Sequence, residues 1–153
     1  MVALGAITLF KKYEKRERTN LSLREELISF LSFARGKICD YLSPIATLAD
    51  GIELPLLSKY GFTSAVKETG DLLFAAERLV LEHNFTDEEK RVLTSTFSEV
   101  GRVSAADGVR ALDRGISELS EEVDIMRTKL PDNLRVAGVL SATAILGLII
   151  LVW

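Results

Sequence analysis

From Leu23 onward the apolar positions Leu23, Leu27, Leu31, Ala34, Ile38 and Tyr41 recur at spacings of four and three, which places them on one face of an amphipathic helix. No strong breaker lies between Phe10 and Leu42, so this helix is expected to run back into the apolar N-terminal segment, with Phe30 and Cys39 on its flank. Ser43-Pro44 reads as an N-cap followed by a first-turn proline, and Gly51 as a stop, predicting a short second helix over PIATLAD. Residues 52–62, punctuated by Pro55 and Gly61, read as a connector with at most one helical turn. Thr63 is placed to cap a helix that Gly70 weakens, whose buried face is Leu72, Leu73, Ala76, Leu79 and Val80 and which ends near His83-Asn84. Thr86-Asp87-Glu88-Glu89 has the form of a capping box, opening a helix with Leu93, Phe97 and Val100 inward and Gly101 at its end.

Ser104-Ala105-Ala106-Asp107 repeats the cap form and opens the most regular pattern in the chain. Ala105, Val109, Leu112, Ile116, Leu119, Val123, Met126 and Leu130 follow at alternating spacings of four and three, the narrow seam of helices packed at shallow angles. Gly108 and Gly115 each cost about 1 kcal/mol of helix propensity, tolerable where a neighbour packs closely. Pro131 lacks an N–H and crowds the preceding turn, so it is expected to kink or restart the helix there. No strand signal competes.

The two ends are apolar in a different way. Val136 to Trp153 is a run of about 18 residues without a charge, interrupted only by Ser141 and Thr143, and long enough to approach a bilayer's hydrocarbon thickness of about 30 Å. Arg135 can snorkel at its near end and Trp153 can sit at the far interface. Ala137, Gly138, Ser141, Ala142 and Ala144 form a small-residue strip along this run that lets another helix approach. The first ten residues, MVALGAITLF, cover only about 15 Å as a helix, so they read as an interfacial or half-inserted segment, or as part of a longer span. Lys11, Lys12, Lys15, Arg16 and Arg18 follow them, an order opposite to that of a cleaved signal peptide. With Arg127, Lys129 and Arg135 at the other end, the basic residues lie on the side of the chain's middle, which the positive-inside bias puts in the cytoplasm. Glu14 and Glu17 interleave with the cluster, so a solvated helix face is the competing reading.

Charge and chemistry narrow the function classes. The 153 residues carry 19 Lys+Arg against 22 Asp+Glu, a formal net charge of −3, which excludes a strongly basic nucleic-acid binder. One cysteine, Cys39, and one histidine, His83, leave neither an intrachain disulfide nor a four-ligand Cys/His zinc site. Phosphate-loop, dinucleotide-turn, H-E-x-x-H and G-x-S-x-G motifs are absent. His83 reads as a helix-end residue, capping or exposed, and Cys39 as a small buried hydrophobe. Asp87-Glu88-Glu89 complements a helix N-terminus, and Glu121-Glu122-Asp124 lines the face opposite the seam. No cofactor, metal or catalytic residue is expected.

The order of features is more specific than any one of them. An apolar N-terminus, a basic stem, a long helix, the turn Leu42 to Leu48 (LSPIATL), the stretch Asp87 to Asp107 around F-S-E-V-G-R with Gly101 as pivot, and Leu134 to Leu140 (LRVAGVL) entering a terminal apolar helix together resemble the stage III sporulation protein AB family of endospore-forming bacteria. The similarity covers most of the chain. It departs from that family in an N-terminal segment of roughly half the expected length, a shortened middle between Gly51 and Asn84, and Pro131 where the family's helix is continuous.

What the resemblance implies is a membrane protein whose cytoplasmic helical domain is similar to that of the platform protein F of type II secretion machines. It implies a scaffold in a channel between mother cell and forespore, on the mother-cell side, with an ATPase and ring-forming membrane proteins as partners. The expectation is therefore an all-α, non-enzymatic chain: residues 1–10 a membrane segment, 11–130 a cytoplasmic helical bundle or hairpin domain, and 131–153 a C-terminal transmembrane helix. The same surfaces are compatible with a homo-oligomer. A tail-anchored helical adaptor in a membrane complex unrelated to sporulation shares this sequence physics, whereas a small membrane hydrolase or redox enzyme would have to rest on Cys39 or His83.

Overall fold

The computed structural model describes residues 2–41, 44–100 and 104–152, with side chains for residues 5, 7–38, 44–100 and 104–147. The Cys39 and Tyr41 side chains, Ser43, Gly101 and Trp153 lie outside these described residues. Among the described residues six α-helices follow one another: α1 (Val2–Tyr41), α2 (Pro55–Lys59), α3 (Phe62–Thr69), α4 (Leu72–Glu82), α5 (Asp87–Glu99) and α6 (Ala105–Val152). No strand occurs among the described residues, and the fold is all-α. The chain divides into two compact units, one of Ser22–Val123 and one of Met1–Leu21 with Asp124–Trp153. The divisions fall inside α1 and α6, next to the first buried side chain described in α1, Leu23, and the last described in α6, Val123.

In the 22–123 unit, the expected face of α1 supplies Leu23, Leu27, Leu31 and Ala34 to one core, joined by Phe30 from the flank. Phe30 meets Phe62 of α3 edge-on at 5.1 Å between ring centroids, and Phe97 of α5 lies 6.5 Å from Phe30 and 6.2 Å from Phe62. Edge-on and tilted rings satisfy the aromatic quadrupole while excluding water, so three helices are locked at one point. Leu112 and Leu119 of α6 complete the same core.

The middle of the chain differs from expectation. PIATLAD forms one 3-10 turn, Ile45–Thr47, with Pro44 at its N-cap position, instead of an α-helix. Lys37 of α1 holds that turn by donating to the carbonyls of Thr47 (2.9 Å) and Asp50 (2.7 Å), which leaves those carbonyls occupied outside any helical ladder. Pro55 opens α2 at its first position, and the Glu26 carboxylate accepts the Leu56 and Leu57 N–H groups at 2.9–3.0 Å, a cap contributed from α1. The single weakened helix expected after Thr63 is two helices. Gly70 adopts a left-handed conformation (φ +62°) that ends α3, and Asp71 restarts the chain by accepting the Phe74 N–H at 3.1 Å. Thr63 itself lies inside α3 and does not cap it.

The Thr86 capping box forms as expected: Thr86 Oγ1 accepts the Glu89 N–H at 3.1 Å, and Glu89 Oε2 accepts the Thr86 N–H at 2.7 Å. At α6, Ser104 Oγ accepts the Asp107 N–H at 3.3 Å and donates to Asp107 Oδ2 at 2.7 Å. Pro131 neither stops nor restarts α6, which runs unbroken from Ala105 to Val152. One missing N–H in a helix of this length costs a single hydrogen bond, which the turns on either side can carry.

Candidate interaction surfaces

In the unit formed by the chain ends, apolar side chains point outward. Ile7, Leu9, Val136, Val139, Leu140 and Leu146 are exposed, Leu9 to 70% and Leu140 to 65%. Phe10 lies over Gly138, where an added Cβ would come 3.7 Å from the ring, so this member of the small-residue strip receives an aromatic side chain. Ala137 and Ser141 are half-buried, whereas Ala142 and Ala144 are exposed. The two hydroxyls of the run are satisfied within their own helix: Ser141 donates to the Ala137 carbonyl at 2.8 Å and Thr143 to that of Val139 at 2.9 Å. Neither hydroxyl therefore requires water or an outside partner.

The basic cluster next to Phe10 is exposed at Lys11, Lys12, Lys15, Arg16 and Arg18, and Arg18 pairs with Glu14 at 3.0 Å. Arg135 is exposed as well, and Arg127 pairs with Asp124 at 3.4 Å. Among the described residues no helix is long and apolar enough to cross a membrane. The side chains of residues 148–153, the last third of the apolar run in the sequence, are not among those described.

The seam of α6 is rotated relative to the sequence pattern. Leu112, Leu119 and Val123 are buried, whereas Val109, Ile116, Met126 and Leu130 are only half-buried. Gly108, Ala111 and Gly115 are buried in their place, shifting the packed face toward small residues. A Cβ on Gly115 would overlap the Thr96 side chain, so α5 and α6 approach closely there. Thr96 Oγ1, buried and without a hydrogen-bond partner, sits against this glycine. Salt bridges from Arg114 to Glu99 (2.6 Å) and from Arg35 to Asp113 flank α6 on its exposed sides.

Two features of the 22–123 unit lie outside the expectations drawn from the sequence. Arg24 and Glu89, 2% and 1% exposed, form a buried ion pair across 65 residues of sequence. Arg24 Nη2 donates to Glu89 Oε2 and to the Asn84 carbonyl, both at 2.8 Å, and the guanidinium lies 4.5 Å above the Phe85 ring. One carboxylate thus closes the α5 cap and neutralises an α1 cation, which satisfies groups that would be costly to bury alone. The second feature is α4, where Leu81 is 86% and Phe74 49% exposed, the two large exposed apolar residues among the described residues of this unit. The apolar character of α4 on nearly every side was the available sequence signal.

Of the two candidate chemical residues, His83 is occupied by packing, and the Cys39 side chain lies outside the described residues. His83 does not cap with its ring, which packs against Tyr60 at 4.0 Å, with a buried Nε2 that has no partner. Burial holds its pKa below the usual 6.5, with Arg24 acting in the same direction and Glu82 opposing, so the ring is neutral at pH 7. A cavity of about 280 Å³ opens beside Gly70, Asp71, Leu73, Phe97, Ser98 and Val100. Its one titratable lining residue, Asp71, is engaged in capping α4. Among the described residues no cluster of three His, Cys, Asp or Glu side chains could hold a metal ion.

No protein-family model matches the chain, and no curated protein or solved structure matches it either.

Proposed function

We propose that this protein is a membrane-anchored, non-enzymatic helical scaffold that works through protein contacts. The observation that carries the reading is the outward apolar surface at the chain ends, Ile7 and Leu9 with Val136, Val139, Leu140 and Leu146, beside an exposed basic cluster. Side chains of this kind are stable when covered by lipid tails, and the basic residues suit anionic headgroups at about 1 kcal/mol each. The uncharged sequence from Val136 to Trp153 supplies the length for a C-terminal span, and the internally satisfied Ser141 and Thr143 hydroxyls suit a medium without water. The basic residues support a cytoplasmic position for the 22–123 unit.

Within that reading, the resemblance to the stage III sporulation protein AB family favours the mother-cell membrane as the location and a secretion-like channel, with an ATPase and ring-forming membrane proteins, as the assembly. The test is deletion of the gene in its spore-forming host. Forespores are expected to complete engulfment and then fail to mature, with rescue by the full chain and not by a chain ending at Leu130. Normal maturation of the deletion strain would refute the channel role and leave a tail-anchored adaptor of another membrane complex.

A further inference from the structure

Resting on the membrane-anchored reading, we propose that the outer face of α1 at Lys11, Lys12, Lys15 and Arg16 is a site for an anionic lipid whose headgroup carries two phosphates. At 100° per residue these four side chains fall within an arc of about 140°, along about 7.5 Å of helix. The half-buried Phe10, Glu14, Glu17 and Leu21 occupy the opposite face, where the Phe10 ring meets Gly138 of α6. The two acidic residues interleaved with the cluster are thereby turned away from it, and Glu14 is taken by Arg18 at 3.0 Å. Among the described residues, no side chain or carbonyl gives Lys11, Lys12, Lys15 or Arg16 a hydrogen bond or an ion pair. The 22–123 unit treats its cations differently: its described arginines all pair with carboxylates, and so do Lys67 and Lys90.

Lys12 stands three and four positions from Lys15 and Arg16, and Lys11 four from Lys15, spacings at which like charges repel, so an anion among them relieves the repulsion. The surroundings select the kind of anion. Leu9, 70% exposed, lies three positions before Lys12 on the Arg16 side of the arc, so the anion is met beside apolar surface. A lipid is the anion that brings apolar tails to cover it. Side chains three or four positions apart on a helix have Cβ atoms about 5–6 Å from one another. Two phosphates joined by a short bridge therefore engage two of these cations at the ordering cost of one molecule, whereas two single-phosphate lipids must each be held in place.

The test uses the full chain reconstituted in phosphatidylcholine vesicles with a trace of spin-labelled diphosphatidylglycerol or of spin-labelled phosphatidylglycerol, the amounts matched for total charge. The readout is the share of each label that the protein immobilises. The two-phosphate lipid is expected to be enriched about fivefold over the one-phosphate lipid, the equivalent of about 1 kcal/mol for one further cation engaged per headgroup. Lys12→Gln/Arg16→Gln abolishes the preference, and Arg127→Gln/Lys129→Gln, which removes the same charge from α6, retains it. Equal immobilisation of the two lipids, equal loss in the two double variants, or displacement of the lipid by inorganic pyrophosphate would each overturn the proposal, the last by assigning the cations to soluble phosphate. Flotation with vesicles of phosphatidylcholine alone reports anchoring separately: a chain that floats without the preference lacks only the lipid site, whereas a chain that does not float lacks the anchor and the site with it.

Discussion

The same two helices do opposite things in the two units. Within 22–123, α1 and α6 turn Leu23, Leu27, Leu31, Leu112 and Leu119 inward and leave Arg35, Asp113 and Arg114 at the surface. Within the unit of the chain ends, they leave Ile7, Leu9, Val139 and Leu140 outside and bring small residues and Phe10 together. A helix face buries whatever its surroundings reject: water rejects the apolar face of the first unit, and the second is consistent only with surroundings that accept it. That inversion is the strongest argument for a membrane, and it can be broken from either side.

The largest expected effect is on partitioning. A chain ending at Leu130 and lacking Met1–Phe10 loses the outward apolar residues and should move from the membrane to the soluble fraction on cell fractionation. Retention of that shortened chain with the membranes would shift the anchoring to the 22–123 unit.

Next in size is the buried ion pair. Arg24→Ala leaves the Glu89 carboxylate uncompensated and should lower stability by about 3–5 kcal/mol in denaturant unfolding, whereas Arg24→Leu with Glu89→Leu should cost less than Arg24→Ala alone. Equal losses in the single and double variants would mean that the capping role of Glu89 outweighs the pairing.

A smaller contrast separates the two glycines of α6. Gly115→Ala drives a methyl into Thr96 and should cost about 1–3 kcal/mol, relieved when Thr96→Ala removes both the hydroxyl and the branch methyl; Gly108→Ala meets nothing within 4 Å and should be neutral or stabilising by up to about 1 kcal/mol. Identical thermal shifts for the two variants would rule out the close approach of α5 and α6.

The smallest effect is a pH dependence. Because the folded His83 pKa lies below its unfolded value of 6.5, the unfolded chain binds more protons in between. Stability is full above pH 6.5 and declines as pH falls from there toward the folded pKa. His83→Gln should flatten that part of the profile, and a wild-type profile flat between pH 7 and 5 would show that the ring is not desolvated.

Local signals in the sequence carried well. The Thr86–Glu89 box and the Leu23–Ala34 face each depend on residues within a turn or two of one another, and both form as their spacing dictates. Gly70 was read as a weak point inside one helix, because a sequence does not state the sign of φ, and only the left-handed conformation shows that it separates two. PIATLAD has the capping pattern of an α-helix, yet Lys37 from α1 takes carbonyls of the turn, a contact no local rule contains. The α6 pattern ranked large residues above glycines, although close packing on Thr96 buries Gly115 more deeply than its neighbour Ile116. Arg24 and Glu89 had no signal at all: each is an ordinary charged residue until folding brings it to the other.

The inversion between the units is tested most directly by depth measurement in vesicles. Single nitroxide labels placed at Leu9, Val139, Leu140 and Leu146 in a Cys39→Ser chain should collide readily with dissolved oxygen and little with a water-soluble nickel chelate, while a label at Glu118 should show the reverse. Equal nickel accessibility at all five positions, with the protein bound to the vesicles, would contradict burial of the chain ends in lipid.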